Sequence, residues 1–127
     1  MSYEKRAFGD SFAAAADYSA KQFWPVKLTA ANTVTVCSGA TDVPIGILQN
    51  KPKSGEAADV MCLGVTRAVS DGTTPIAVGD WVGSGAAGKL VKKSSDKDYA
   101  IGQALEASSA DGTVISVLLR GPVYLGV

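Results

Sequence analysis

The chain has 127 residues, 46% of them hydrophobic and 14 of them glycine, with twelve basic residues balanced by twelve acidic ones and no histidine. That length supplies one domain-sized core without cross-links, and no apolar run is long enough to span a bilayer, so no membrane partner is expected. Zero net charge removes the electrostatic basis for holding nucleic acid, and the missing histidine removes the commonest general base, the commonest zinc ligand and any Ser-His-Asp device.

The opening Met1-Ser2-Tyr3-Glu4-Lys5-Arg6 lacks the apolar segment of a secretion signal, so the expectation is synthesis in, and retention by, the cytoplasm. Residues 1–22 read as an N-terminal arm. Six of the nine aromatic residues fall in the first 24 positions: Tyr3, Phe8, Phe12, Tyr18, Phe23 and Trp24. The run Ala13-Ala14-Ala15-Ala16, with Asp10 or Ser11 as a cap, allows a short helix over Phe12 to Ala20. The aromatic spacing is only partly helical, and an extended arm fits equally well. Rings at this density need something to pack on, either this chain's own β domain or a partner.

Residues 23–127 read as a single all-β domain, a small barrel or sandwich. Strands are expected over Val26–Thr29, Val34–Cys37, Ile45–Gln49 and Ala58–Val69, and then over Ile76–Val78, Asp80–Gly83, Lys89–Lys93, Ala100–Ala107 and Thr113–Leu119. Turns rich in Gly, Asp, Pro and Ser separate them. The second half repeats the layout of the first. Ile45-Gly46 matches Ile101-Gly102, Ala30-Ala31-Asn32 matches Ala86-Ala87-Gly88, Gly55 matches Gly112, Gly64 matches Gly121, and Trp24 matches Trp81, with one extra residue in the second hairpin turn. Residues 24–64 and 81–121 are therefore two similar strand-hairpin halves. The alternative origin is chance likeness between glycine-punctuated hairpins.

The run Gly83-Ser84-Gly85-Ala86-Ala87-Gly88-Lys89 satisfies both common phosphate-binding patterns, but each needs a helix directly afterwards. The residues after Lys89 are strand-like, and Leu90 stands where a magnesium-holding Ser or Thr would be, so the run reads as a hairpin connection. The scattered acids Asp42, Glu56, Asp59, Asp71, Asp80, Asp96, Asp98, Glu106 and Asp111 mostly flank turn residues, with no spacing that favours paired acid-base chemistry. Lys92, Lys93 and Lys97 read as a solvated rim, and Cys37 and Cys62 as two small buried apolar side chains within strands, with a disulfide between them the lesser alternative. No catalytic residue, cofactor or metal is expected.

Tyr18-Ser19-Ala20-Lys21-Gln22-Phe23, Val26-Lys27-Leu28-Thr29-Ala30, Ile45-Gly46-Ile47-Leu48-Gln49-Asn50-Lys51-Pro52, Ala104-Leu105-Glu106-Ala107 and Ser116-Val117-Leu118-Leu119 together resemble the capsid decoration, or cement, proteins of tailed bacteriophages. The resemblance runs from about Asp17 to Leu119. It implies a non-enzymatic β-barrel-like protein on the exterior of the virion capsid, made in the host cytoplasm. There it would bind the major capsid protein as a homotrimer and bridge neighbouring subunits. Beside it, the aromatic arm offers Tyr3, Phe8, Phe12, Tyr18, Phe23 and Trp24 as anchors for capsid protein or an adjacent subunit. The other readings are a head-fibre or tail protein, a small-molecule or glycan-binding β module, and a hydrolase using scattered carboxylates.

Overall fold

The computed structural model describes residues 5–72, 74–94 and 98–124, and every regular element in it is a strand. In chain order these are β1 (Lys5–Ala14), β2 (Pro25–Ala30), β3 (Thr33–Val36), β4 (Gly46–Leu48), β5 (Ala57–Val69), β6 (Trp81–Ser84), β7 (Leu90–Lys92), β8 (Tyr99–Ala104) and β9 (Val114–Tyr124). The first strand takes the extended alternative for the N-terminal segment and runs through Phe12, Ala13 and Ala14. Its pairing to β5 over Lys5–Ala13 outweighs the helix propensity of four alanines. Over Ile76–Val78, where the sequence predicts a strand, only one bridge forms, from Ile76 to Ser108.

The strands lie in the order β1-β3-β2-β4-β5, and β5 also pairs with β1, which closes a five-stranded barrel. The order then continues β5-β9-β8-β6-β7, and a parallel bridge from Ser70 to Leu90 brings β7 back to the end of β5. The two sets share β5, whose 13 residues are long enough to serve both.

The pairings in the two sets correspond residue for residue. Val26↔Val36, Lys27↔Thr35 and Leu28↔Val34 in β2–β3 become Val82↔Lys92, Gly83↔Val91 and Ser84↔Leu90 in β6–β7, each position 56 higher. After the longer second hairpin turn the offset is 57: Gly55 donates its amide to the Ala14 carbonyl, and Gly112 does the same to Ser70. The same registers correct one match read from the sequence. Val26↔Gly46 and Val82↔Gly102 place Trp81 opposite Pro25 rather than Trp24. Asn32 and Gly88 both adopt positive φ, 52° and 90°, at equivalent turns.

Each set has its own core. Ala14, Tyr18, Val26, Val34, Leu48, Ala58 and Val60 fill the first barrel. Ile76, Val82, Leu90, Ile101, Ala104, Ile115, Val117 and Leu119 fill the second ring, joined by Ala68 and Met61 from β5 and by Ile47. β5 feeds both cores, with Ala58 and Val60 near its start in the first barrel's core and Met61 and, farther along, Ala68 in the second.

Two further contacts fix the halves to each other. The loop after β3 lies on the β6–β7 hairpin: the Ser84 hydroxyl donates to the Gly39 carbonyl (2.8 Å) and the buried Lys93 ammonium donates to the Ala40 carbonyl (2.8 Å). Asp42 holds that loop closed, accepting from the Ser38 and Gly39 amides (2.9 and 3.1 Å) and pairing with Lys27 (2.8 Å). Gly88 is the tightest point of the joint. A Cβ there would come 2.1 Å from the Cys37 carbonyl oxygen, on a backbone with φ +90°.

Gly88→Ala is therefore expected to cost at least about 1–3 kcal/mol through strain alone, read as a drop in melting temperature of about 5 °C or more. An unchanged melting temperature would show that this joint is not tightly packed. The Lys27 ammonium and the two loop amides hold the Asp42 carboxyl below its ordinary 3.8. Its stabilisation is thus complete above that value and is lost as pH falls through the depressed folded value. Thermal melts below pH ~4 should show wild type losing more stability than Asp42→Asn, which has no such proton to take up.

Candidate interaction surface

Four of the aromatic residues at the front of the chain, Phe12, Tyr18, Phe23 and Trp24, are held by this chain's own structure. Tyr18, 9% exposed, closes one end of the first barrel. Its amide donates to the Pro52 carbonyl (2.8 Å), and its hydroxyl shares a 2.6 Å hydrogen bond with Thr35 on β3. Phe12 packs against the same core from β1. Phe23 sits in a left-handed turn, φ 71°, from which its amide donates to the Leu48 carbonyl (2.7 Å) in the first barrel while its carbonyl accepts from Val69 (3.0 Å) on β5. Its ring packs against the second core, and the Arg67 guanidinium lies 6.0 Å from the ring centre.

Trp24 is half-buried between two cations, with the Lys21 ammonium 3.8 Å and the Lys89 ammonium 5.6 Å from its ring centre. Trp81 carries a similar cap, with Arg120 at 5.6 Å. Lys21 is three residues from Trp24, but Lys89 and Arg120 come from distant positions, for which spacing along the chain carries no signal. Phe8 lies on β1 with its backbone opposite Leu63. Tyr3, like Asp96 and Lys97, lies outside the described residues.

What the front of the chain leaves open is an edge. The Ala13 and Ala15 amides donate across to the Asn32 and Val34 carbonyls, at 2.8 and 3.0 Å. Nearer the N-terminus, from Lys5 to Phe12, no described strand pairs with that side of β1. The Ser11 amide, which points the same way, is taken by the Asp10 carboxylate at 2.8 Å. An acidic side chain folded over an edge amide keeps a strand edge from pairing indiscriminately. The exposed Leu63 (41%) lies on β5 opposite Phe8.

The glycine-rich run is the turn between β6 and β7. The Gly85 amide donates to the Lys89 carbonyl (2.9 Å), strand β7 starts at Leu90, and Lys89 is engaged by Asp111 at 2.8 Å. Among the described residues, no group of three or more His, Cys, Asp or Glu side chains is placed to hold a metal ion. Cys37 is buried, and burial pushes its thiol up to about 11 despite a hydrogen bond with Ser84.

A family model described as phage cement protein matches residues 9–120. Among solved structures the chain is similar to the head fiber gp8.5 N base in bacteriophage phi29, with 14% sequence identity, a TM-score of 0.63, and coverage of 89% of this chain and 93% of that one. At that identity the likeness is one of fold. No curated protein matches the sequence.

Truncating Tyr18→Ala is expected to destabilise the protein by about 3–5 kcal/mol, as for other large core rings, whereas Tyr18→Phe should cost only about 0.5–1.5 kcal/mol for the hydroxyl bond. Denaturant titration of both variants checks this, and similar small losses would place the ring outside the core. Cys37 should resist alkylation at pH 8 until denaturant unfolds the chain; mass spectrometry showing rapid native-state labelling at Cys37 would contradict its burial.

Proposed function

The chain belongs to the phage cement protein family, and from that premise we propose that it binds the outer surface of a phage capsid and holds neighbouring subunits of the major capsid protein together. The observation that carries this reading is the family match across both halves of the fold, residues 9–120. The protein acts as a homotrimer on the virion exterior after synthesis in the host cytoplasm. It has no enzymatic activity: it works by placing a stiff body across a seam between subunits. Several modest contacts joined in one oligomer release only together, so repetition over the shell supplies the strength.

The N-terminal segment carries the capsid contact. The outer edge of β1 faces the capsid protein or the adjacent subunit, Tyr3 and Phe8 are further anchors for that partner, and Phe12, Tyr18, Phe23 and Trp24 set the position of that edge from within. A fold already closed by its own strands supports this reading, because a pre-formed surface loses little entropy on docking. A second reading, the base of a head fibre, draws on the fold likeness to the phi29 protein. The two readings differ in where the protein stands. Cementing places it over seams throughout the shell, and a fibre base places it under a projecting shaft.

Purified protein added to decoration-free expanded heads should bind saturably and raise the temperature at which packaged DNA is released. Heads that neither retain the protein nor gain heat resistance would overturn the cementing function. Light scattering in solution or on detached protein should give three times the chain mass; a monomer both free and as released from heads would overturn the trimer.

A further inference from the structure

The open end of the second ring has a cleft of about 350 Å³, at the small end of the range for ligand sites. Pro75, Ile76 and Ala77 form one wall and Ala107 and Ser109 the other, with Asp80 and Lys92 at the rim. The first wall is held rigidly. Ile76 and Ser108 exchange backbone hydrogen bonds at 2.7 and 2.9 Å, and Asp80 takes the Ala77 amide at 2.8 Å while lying 3.7 Å from the Lys92 ammonium.

The first barrel shows what fills the matching place. There the amide that reaches across to the β4–β5 hairpin is that of Tyr18, donating to Pro52, just as Ile76 donates to Ser108 at the β8–β9 hairpin. From that position the Tyr18 ring extends over β3 to the Thr35 hydroxyl. Thr35 corresponds to Val91 by strand register, next to the Lys92 that rims the cleft. Ile76, 2% exposed, plugs the core below but is too short to cover β7. The Tyr18 ring covers the corresponding end of the first barrel, and among the described residues no side chain does so over the cleft.

We propose that this cleft receives an aromatic side chain presented by the capsid protein, seated as Tyr18 is seated in the first barrel. The inference rests on the cementing reading. An aromatic ring fits the apolar walls, and the Asp80–Lys92 rim offers a hydroxyl or indole N–H both an acceptor and a donor. The contact is a single rigid knob in a pre-formed hole, the kind of anchor that dominates small protein interfaces.

The test uses p-cresol, the tyrosine side-chain analogue, followed by methyl resonances of Ile76, Ala77 and Ala107 in the full chain. Saturable shifts at these methyls are expected, lost in Ile76→Tyr, which rebuilds the first barrel's arrangement and fills the cleft from inside. No saturable shift there overturns the proposal. Ile76→Tyr and Ala107→Leu, which adds bulk to the opposite wall, should each weaken binding to decoration-free heads at least tenfold while keeping the wild-type circular dichroism spectrum. Wild-type binding with undiminished binding by both folded variants overturns the cleft assignment and leaves cementing intact. No wild-type binding overturns the capsid protein as occupant. Variants that change the solution mass but not head binding also overturn it, since they assign the cleft to a second copy of this chain.

Discussion

Everything in this molecule depends on one strand being used twice. The first half of β5 pairs with β1 and β4 to close the first barrel, and its second half pairs with β9 to open the second ring. A hydrogen-bonded strand has only two edges, so this double use works because β1 leaves the β5 edge near Val65 and Leu90 meets it at Ser70. The halves are consequently joined by a ladder rather than a linker, and neither can pivot without breaking backbone bonds of both. In the bridging role proposed above, that stiffness is the functional property.

The two cores solve one packing problem with different residues. The cross-strand pair Phe12↔Ala58 in the first barrel corresponds to Ala68↔Ile115 in the second, so the large and small members change sides. Val34 and Leu48 of the first core correspond likewise to Leu90 and Ala104 of the second. Both exchanges leave the second ring with less side-chain volume at these positions, Ile in place of Phe in the first pair and Ala in place of Val in the second. The first barrel, with alanine at positions 14 and 58, needs rings from Phe12 and Tyr18 to fill its interior. That need accounts for much of the aromatic density at the front of the chain.

These exchanges also explain how much of the fold is legible in the sequence. Glycine and asparagine positions mark turns by backbone chemistry alone, so Ile45-Gly46 against Ile101-Gly102, and Asn32 against Gly88, can be matched from residue identity. Gly46 and Gly102 also sit against equivalent carbonyls, those of Met61 and Leu118, where any Cβ would clash. Trp24 against Trp81 misleads, because a shared large side chain is no guide to register; the pairings shift it by one residue. The role of residues 5–14 is hidden for a different reason. Alanine suppresses period-two patterning, and the strand's partner, β5, lies some fifty residues away. Lys89 over Trp24, Arg67 over Phe23 and the cleft beside Ile76 arise only from tertiary placement.

In the proposed cementing role the protein transmits load, so the halves must yield together or not at all. Native-state hydrogen exchange along β5 tests this most directly, by comparing the amides of Ala58–Val60, which belong to the first barrel, with those of Thr66–Ala68, which belong to the second. The account predicts that both groups exchange through one opening, with the same free energy and the same denaturant dependence. Two separate openings, with the first barrel exchanging while the second stays protected or the reverse, would contradict it.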